Sequence, residues 1–319
     1  MRPVRTALAG ALLGALTLAG CGQSAGGSDT ASAAPTPTTP AASTEGAGFP
    51  VTVQAGNGSV TIAEKPRQII SLSPTATETL FAIGAGSQVT AVDSLSNYPA
   101  EAPKTDLSSF KPNAEAIIAK KPDLVVLSND IGGVVAALTK VGVPVLLEPA
   151  ATKLDESYDQ IADLGAATGN KAKADEVVQG MKQQLDQLAA QAPKDKKLTY
   201  YHELDSTPYS VTSSTFAGQI YALFGLTNIA DKAPDPAGGY PKLSSEFVAK
   251  SDPDLVFLAD TKCCGQSKET LAKRPGWGGL TAIKKDRVVQ LDDDIASRWG
   301  PRVVDFAKAV DEAVKKAAA

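Results

Sequence analysis

His202 is the only histidine in the chain, and Glu203 follows it. A zinc hydrolase built on such a pair needs a second histidine one helical turn later, where this chain has Ser206. No Gly-x-Ser-x-Gly elbow adjoins His202, so a nucleophile–base system is not expected either. Gly84-Ala-Gly86 follows a helical stretch, whereas a dinucleotide fingerprint must follow a strand and open a helix. One histidine also argues against a bare metal-ion site, which wants several His, Asp or Glu ligands. These residues predict no catalytic group, no resident metal and no cofactor, with His202 a satisfied histidine at a strand end.

Binding chemistry is better represented. Aromatic residues make up only 5% of the chain, yet six of them sit in turns rich in proline and glycine. Tyr98 precedes Pro99, Phe110 precedes Lys111-Pro112, Tyr209 follows Pro208, and Tyr240 lies in Gly238-Gly-Tyr-Pro. Trp277 and Trp299 lie in Pro-Gly-Trp-Gly and Arg-Trp-Gly-Pro. Any one of them can simply plug a domain surface; six in such turns point to a shared aromatic wall. Arg298 is suited to donate to ligand amides or a phosphate, and Asp294, four residues earlier, to accept from amides or hold the arginine. The plainer alternative for Arg298 is a structural ion pair with the Asp292-Asp293-Asp294 run.

Such loops need a scaffold, and an internal echo supplies it. Asn113-Ala-Glu115 through Pro122-Asp-Leu-Val-Val-Leu is matched by Ser244-Ser-Glu246 through Pro253-Asp-Leu-Val-Phe-Leu. Each copy reads as a capped short helix stopped by proline and followed by a fully apolar strand. Strands apolar on both faces belong to parallel sheets. Ile69-Ile70, the run from Val143 to Leu147, Tyr200-Tyr201 and Val288-Val289 are further candidates, with Pro144 placing its strand at a sheet edge. Between the copies, Ala174, Val177, Val178, Met181, Leu185, Leu188, Ala189 and Ala192 repeat at helical spacing up to Pro193. That helix would be about 32 Å long. The expected fold is α/β: two Rossmann-like lobes with central parallel sheets, joined by one long rigid α-helix. The expected boundaries are 50–171 for the first lobe, 172–192 for the helix and 193–319 for the second. A crossover helix within one sheet is the alternative reading of that segment.

The N-terminus has a different composition. Arg2 and Arg5 precede an apolar run of about 12 residues, too short for a permanent span, which needs about 20. Residues 1–20 therefore read as a signal peptide. Leu18-Ala-Gly-Cys21 resembles the bacterial lipobox, in which the cysteine is diacylated and becomes the mature terminus. Residues 21–49 contain almost nothing to bury and read as an acylated cysteine followed by a disordered tether, with a reach of roughly 30 Å. Removing residues 1–20 takes away two arginines and no acid, so the mature charge is 29 − 35 = −6, which argues against a nucleic-acid partner. Cys263 and Cys264 are adjacent and form either a vicinal disulfide or two thiols, the former better suited to an oxidising compartment.

Several of these strings resemble a known family. An opening hairpin (Val51-Thr-Val, Gly56-Asn-Gly58, Val60-Thr-Ile) is followed by Pro66-Arg67-Gln-Ile-Ile-Ser71-Leu-Ser73-Pro74-Thr-Ala-Thr-Glu78. With Ser96-Asn-Tyr98-Pro99 and the two Pro-Asp-Leu-Val units, this resembles the helical-backbone class of periplasmic binding proteins, which serve ABC importers for cobalamin, ferric siderophores and haem. The resemblance covers residues 49–314. It is nearest to the cobalamin-binding branch through Asn97-Tyr98-Pro99, Arg274-Pro275-Gly-Trp277 and Ser297-Arg298-Trp-Gly-Pro301-Arg302.

The resemblance implies an extracytoplasmic, lipid-anchored and monomeric substrate-binding protein. Its ligand would be a corrinoid, with a ferric siderophore of the hydroxamate type as the alternative. Its partner would be an ABC permease dimer with its ATPase subunits. In that branch the positions of Tyr98, Phe110, Tyr209 and Arg298 face the ligand, Phe110 standing where tryptophan is common. One surface glutamate per lobe docks on arginine pockets of the permease, which assigns Glu115 and Glu246. The local alternative for both is a favourable interaction with the helix N-terminus.

Overall fold

The structure is a computed structural model that describes residues 48–319. The signal peptide, Cys21 and nearly all of the tether lie outside the described residues. From residue 51 a hairpin, β1 (Val51–Ala55) and β2 (Gly58–Ile62), leads into β3 (Ile69–Leu72), α1 (Pro74–Ala82), β4 (Val89–Val92), α2 (Ala114–Ile118), β5 (Leu124–Leu127), α3 (Val134–Lys140), β6 (Val145–Leu147) and α4 (Leu154–Thr168). The long helix α5 (Lys171–Gln191) follows. The chain continues through β7 (Thr199–Glu203), α6 (Phe216–Leu223), β8 (Thr227–Asn228), α7 (Ser245–Ser251), β9 (Leu255–Leu258), α8 (Thr261–Cys264), α9 (Lys268–Ala272), α10 (Thr281–Lys284), β10 (Val288–Gln290), α11 (Asp293–Ala296) and α12 (Val303–Ala318).

Two four-stranded sheets result, ordered β4-β3-β5-β6 and β8-β7-β9-β10. Every pairing within them is parallel. In chain order both sheets read second, first, third, fourth, so the sequence echo is a repeat of topology. The third strands, β5 and β9, are the two Leu-Val strands, and all their side chains are buried, as sheets covered on both faces require. Each fully buried aliphatic side chain there contributes roughly 1.5–3 kcal/mol.

The Pro-Asp that opens each of these strands has a defined task. Asp123 accepts the Arg67 and Gln68 N–H groups at 2.8 and 2.9 Å, and Asp254 accepts the Thr199 N–H and hydroxyl, both at 2.9 Å. Each aspartate thus pins the start of the neighbouring first strand.

Pro144 does lie at an edge: β6 is the outermost strand of its sheet. The tip of the hairpin covers that edge, with the Gly56 N–H on the Leu147 carbonyl at 2.7 Å and the Asn57 amide donating to Val145 and accepting from Leu147. An otherwise open row of backbone groups is thereby satisfied.

Helix α5 buries Ala174, Met181 and Leu185 between α4 and α12. Its approach to α4 depends on Gly165, because a Cβ there would collide with that of Ala174. Both lobes and α5 share one apolar cluster that includes Ile161, Met181, Leu185, Tyr221 and Phe306. The connection between the sheets is therefore a packed three-helix seam and not a pair of flexible strands.

Candidate functional site

The site lies at the carboxyl ends of the first lobe's strands, where a doubly wound sheet changes crossover direction. Ser73 follows β3, Ser94 follows β4, and Ser128 and Asn129 follow β5. Together with Asp294, Ser297, Arg298 and Trp299 from the segment after β10, they line a cavity of about 340 Å³. Phe110, 66% exposed, forms its rim, and Trp299 forms a wall.

Local chemistry positions each contributor. Ser73 caps α1 by accepting the Ala76 N–H, which directs the strand–helix turn into the cavity. The loop carrying Leu95, Asn97, Tyr98 and Phe110 is held from beneath by buried Asp93. That carboxylate accepts from the Ser96 hydroxyl at 2.5 Å and the Ser109 hydroxyl at 2.7 Å. Trp299 is fixed by donation of its indole N–H to Gln160 at 2.8 Å and by the Ser157 hydroxyl on its carbonyl.

The three consecutive aspartates after β10 have separate roles. Asp292 caps α11 by accepting the Asp294 and Ile295 N–H groups. Asp293 accepts the N–H groups of Thr261, Lys262 and Cys263 and so holds α8. Asp294 faces the cavity and accepts from Asn97 at 3.0 Å, Arg298 at 2.7 Å and Lys262 at 3.1 Å. Burial pushes its pKa up, but these three donors outweigh it and hold the carboxyl below the usual range.

Arg298 is 8% exposed and pairs with Asp294 and, across 220 residues of sequence, with Glu78 at 2.5 Å. Glu78, 3% exposed on α1, also takes a bidentate contact from Arg302 at 2.8 and 2.5 Å. The Arg302 guanidinium in turn lies 4.1 Å from the centre of the Tyr98 ring. The ion-pair reading of Arg298 therefore holds for Asp294 alone among the three aspartates, and its deeper partner is Glu78.

The cavity gathers Phe110, Asp294, Arg298 and Trp299 from the sequence candidates. Tyr98, Tyr209 and Tyr240 are well exposed but stand outside its lining. Tyr209 sits in the turn after β7, with the Lys242 ammonium 5.6 Å from its ring centre. Trp277 is corrected: it is fully buried in the second lobe, edge-on to Tyr201 at 5.8 Å, its N–H on the Ser245 carbonyl at 3.1 Å. It cannot wall the cleft from there. Its Pro-Gly-Trp-Gly surroundings suggested an exposed loop, yet the turn folds inward onto an apolar cluster.

Glu115 and Glu246 are both exposed in first helical turns, capped by the side chains of Asn113 and Ser244. His202 is fully buried with Nδ1 2.7 Å from the Tyr221 hydroxyl, and burial pushes its pKa down to about 4. Cys263 and Cys264 form a vicinal disulfide on the exposed α8.

Sequence reasoning missed Glu78, Arg302 and Asn97 as members of the site. A signal for Glu78 was available: it is the one charged residue in an otherwise apolar and hydroxyl-bearing helix, and a buried carboxylate needs a partner. It also missed Glu148, a buried carboxyl after β6 whose Oε1 has no partner, in a small void under Trp299. Burial, reinforced by Asp163, pushes the Glu148 pKa up to about 8.

Comparison with known proteins agrees with this architecture. A family model described as periplasmic binding protein matches residues 69–295. Over 314 residues the chain is 30% identical to the uncharacterized ABC transporter substrate-binding lipoprotein YvrC of Bacillus subtilis, covering 95% of this chain and 94% of that protein. It is 28% identical over 268 residues to the cobalamin-binding protein of Halobacterium salinarum, covering 81% and 72%. The crystal structure of a possible iron-binding, periplasmic solute-binding protein from Staphylococcus epidermidis superposes with a TM-score of 0.68 at 28% identity, covering 79% of this chain and 99% of that one. With two parallel sheets joined by a long helix and a family match across most of its length, the chain belongs to the periplasmic binding protein family, as a substrate-binding protein of an ABC importer and not an enzyme.

Proposed function

We propose that the protein captures a corrinoid in the cleft between its lobes and delivers it to the permease of an ABC importer. The observation that carries this reading is the cavity itself. It has aromatic surface from Phe110 and Trp299 and a lining of hydroxyl and amide groups, which suits a flat macrocycle with an amide-bearing periphery. The likeness to the cobalamin-binding protein of Halobacterium salinarum supports the same ligand. Tyr98, Tyr209 and Tyr240 extend the contact surface beyond the cavity when a ligand larger than about 340 Å³ is bound.

In this reading Cys21 carries the lipid that holds the monomeric protein on the extracytoplasmic face of the membrane. Glu115 and Glu246 meet the two permease subunits, which work with their ATPase partners. A ferric hydroxamate siderophore is the second reading, favoured by the likeness to the Staphylococcus epidermidis protein described as possibly iron-binding.

Calorimetric titration of the mature protein with cyanocobalamin and with a ferric trihydroxamate decides between them. Saturable binding of cyanocobalamin supports the corrinoid; binding of the hydroxamate alone replaces it.

A further inference from the structure

We infer that Glu78 sets the charge selectivity of the cleft. By engaging both Arg298 and Arg302 it withdraws their guanidiniums from ligand recognition, so the site accepts neutral or cationic ligands and refuses polyanionic ones. This deepens the proposed function and rests on its reading of the cleft as the ligand site.

Three cationic side chains belong to one ion-pair network at the cavity: Arg298 lies in the lining, and Arg302 and Lys262 pair with the carboxylates that also meet it. Three carboxylates answer them. Glu78 meets Arg298 and Arg302 at 2.5 Å, Asp294 meets Arg298 at 2.7 Å and Lys262 at 3.1 Å, and Asp292 meets Lys262 at 2.8 Å. The local sum is 3 − 3 = 0. Among the described residues, Asp294 and Arg298 are the only charged ones in the lining, and they are bonded to one another.

The terminal N–H donors of Arg298 are also committed. One terminal nitrogen serves Glu78 and the Asn97 side-chain oxygen, and the other serves the Leu95 carbonyl and Asp294. An incoming anion that takes the terminal fork of the guanidinium must break one of these bonds. It would leave Glu78, Asp294, the Asn97 oxygen or the Leu95 carbonyl one donor short in a largely buried network, and such a loss is costly. The other polar groups of the lining, which can recognise a ligand, are uncharged: Ser94, Ser128 and Asn129 among them.

The test compares the wild type with Glu78→Gln and Glu78→Asp. The probes are cyanocobalamin, a ferric trihydroxamate and a trianionic ferric tricatecholate, titrated at low and at high salt. The wild type should bind at least one of the first two at least about 100-fold more tightly than the tricatecholate. Glu78→Gln keeps an acceptor oxygen and removes the charge. It should raise tricatecholate affinity relative to that for the uncharged probes about tenfold at low salt, the gain shrinking at high salt. Glu78→Asp should keep the wild-type order.

If Glu78→Gln does not fold, Arg302→Met serves in its place: Glu78 then faces Arg298 alone, and tricatecholate binding should weaken further. A folded Glu78→Gln with an unchanged affinity ratio, or an Arg302→Met that gains tricatecholate affinity, overturns the inference alone and leaves the corrinoid reading intact. A wild type that binds only the tricatecholate, or none of the three probes, overturns both.

Discussion

Asp123 and Asp254 occupy the same place in the two lobes, each accepting a backbone N–H from the residues that open its sheet's first strand. In both, the preceding proline follows a residue of positive φ, Lys121 at 53° and Asp252 at 41°. The chain thus turns out of a short helix, passes proline and lays its aspartate across the neighbouring strand. The repeated Pro-Asp is a structural joint and stands outside the cavity lining.

Alanine at either position should lower stability without changing ligand affinity. The loss should be about 1 kcal/mol at Asp123, whose contacts are exposed, and about 2 kcal/mol at Asp254, whose contacts with Thr199 are partly buried. Urea midpoints measure the first quantity and calorimetry the second; a tenfold affinity loss with unchanged stability would contradict this division.

The two tryptophans should behave in opposite ways. Trp277→Ala removes a fully buried ring and should destabilise by about 3–5 kcal/mol while sparing affinity in the folded fraction. Trp299→Ala removes a wall of the cavity and should weaken ligand binding about tenfold or more, at a smaller cost in stability. Equal affinity losses for both would show that the cavity is not the binding site.

Stability should decline from mildly acidic to mildly alkaline pH. Burial, followed by Asp163, raises the Glu148 pKa to about 8, and burial, followed by Asp159, raises that of Asp163 to about 6. Each carboxyl keeps its proton in the folded chain at a pH where the unfolded chain has released it. Stability is therefore lost as pH climbs from the unfolded value towards the folded one. Glu148→Gln should match the wild type near pH 4.5 and exceed it near pH 8.5 by on the order of 2 kcal/mol. Denaturation at the two pH values checks this, and parallel profiles would refute the assignment to Glu148.

Glu115→Ala combined with Glu246→Ala should abolish ligand uptake by cells and leave affinity in solution unchanged. Both side chains are exposed at helix starts, so each replacement should cost no more than about 1 kcal/mol of stability. If the double variant loses ligand affinity, the glutamates are not docking groups.

Cys21→Ala should yield protein recovered in the culture fluid and not in the membrane fraction. Fractionation with detection of the chain distinguishes the two, and continued membrane association would remove the lipid anchor from the proposal.

Local regularities carried most of the architecture. Apolar runs flanked by proline or aspartate are strands in the structure, and the three- and four-residue spacing of residues 174–192 is α5 in all but its last position, because such patterns are satisfied by neighbours close in the chain. β4 and the two-residue β8 carried no such signal, and they form by pairing with strands already in place.

The site was legible only in part. Phe110, Arg298 and Trp299 stood out as aromatics and an arginine in turns with proline or glycine, and the structure gathers them at one cavity. The same criterion failed for Trp277, since a turn's composition does not say which way its side chain faces. That Arg298 meets Glu78 from 220 positions away is decided by the return of the chain after β10 to the first lobe. The sequence by itself therefore determined the paired α/β units and their joining helix. Only the tertiary structure decided which charges are spent on one another across the lobes, because such pairs depend on distance in space and leave no periodic trace along the chain.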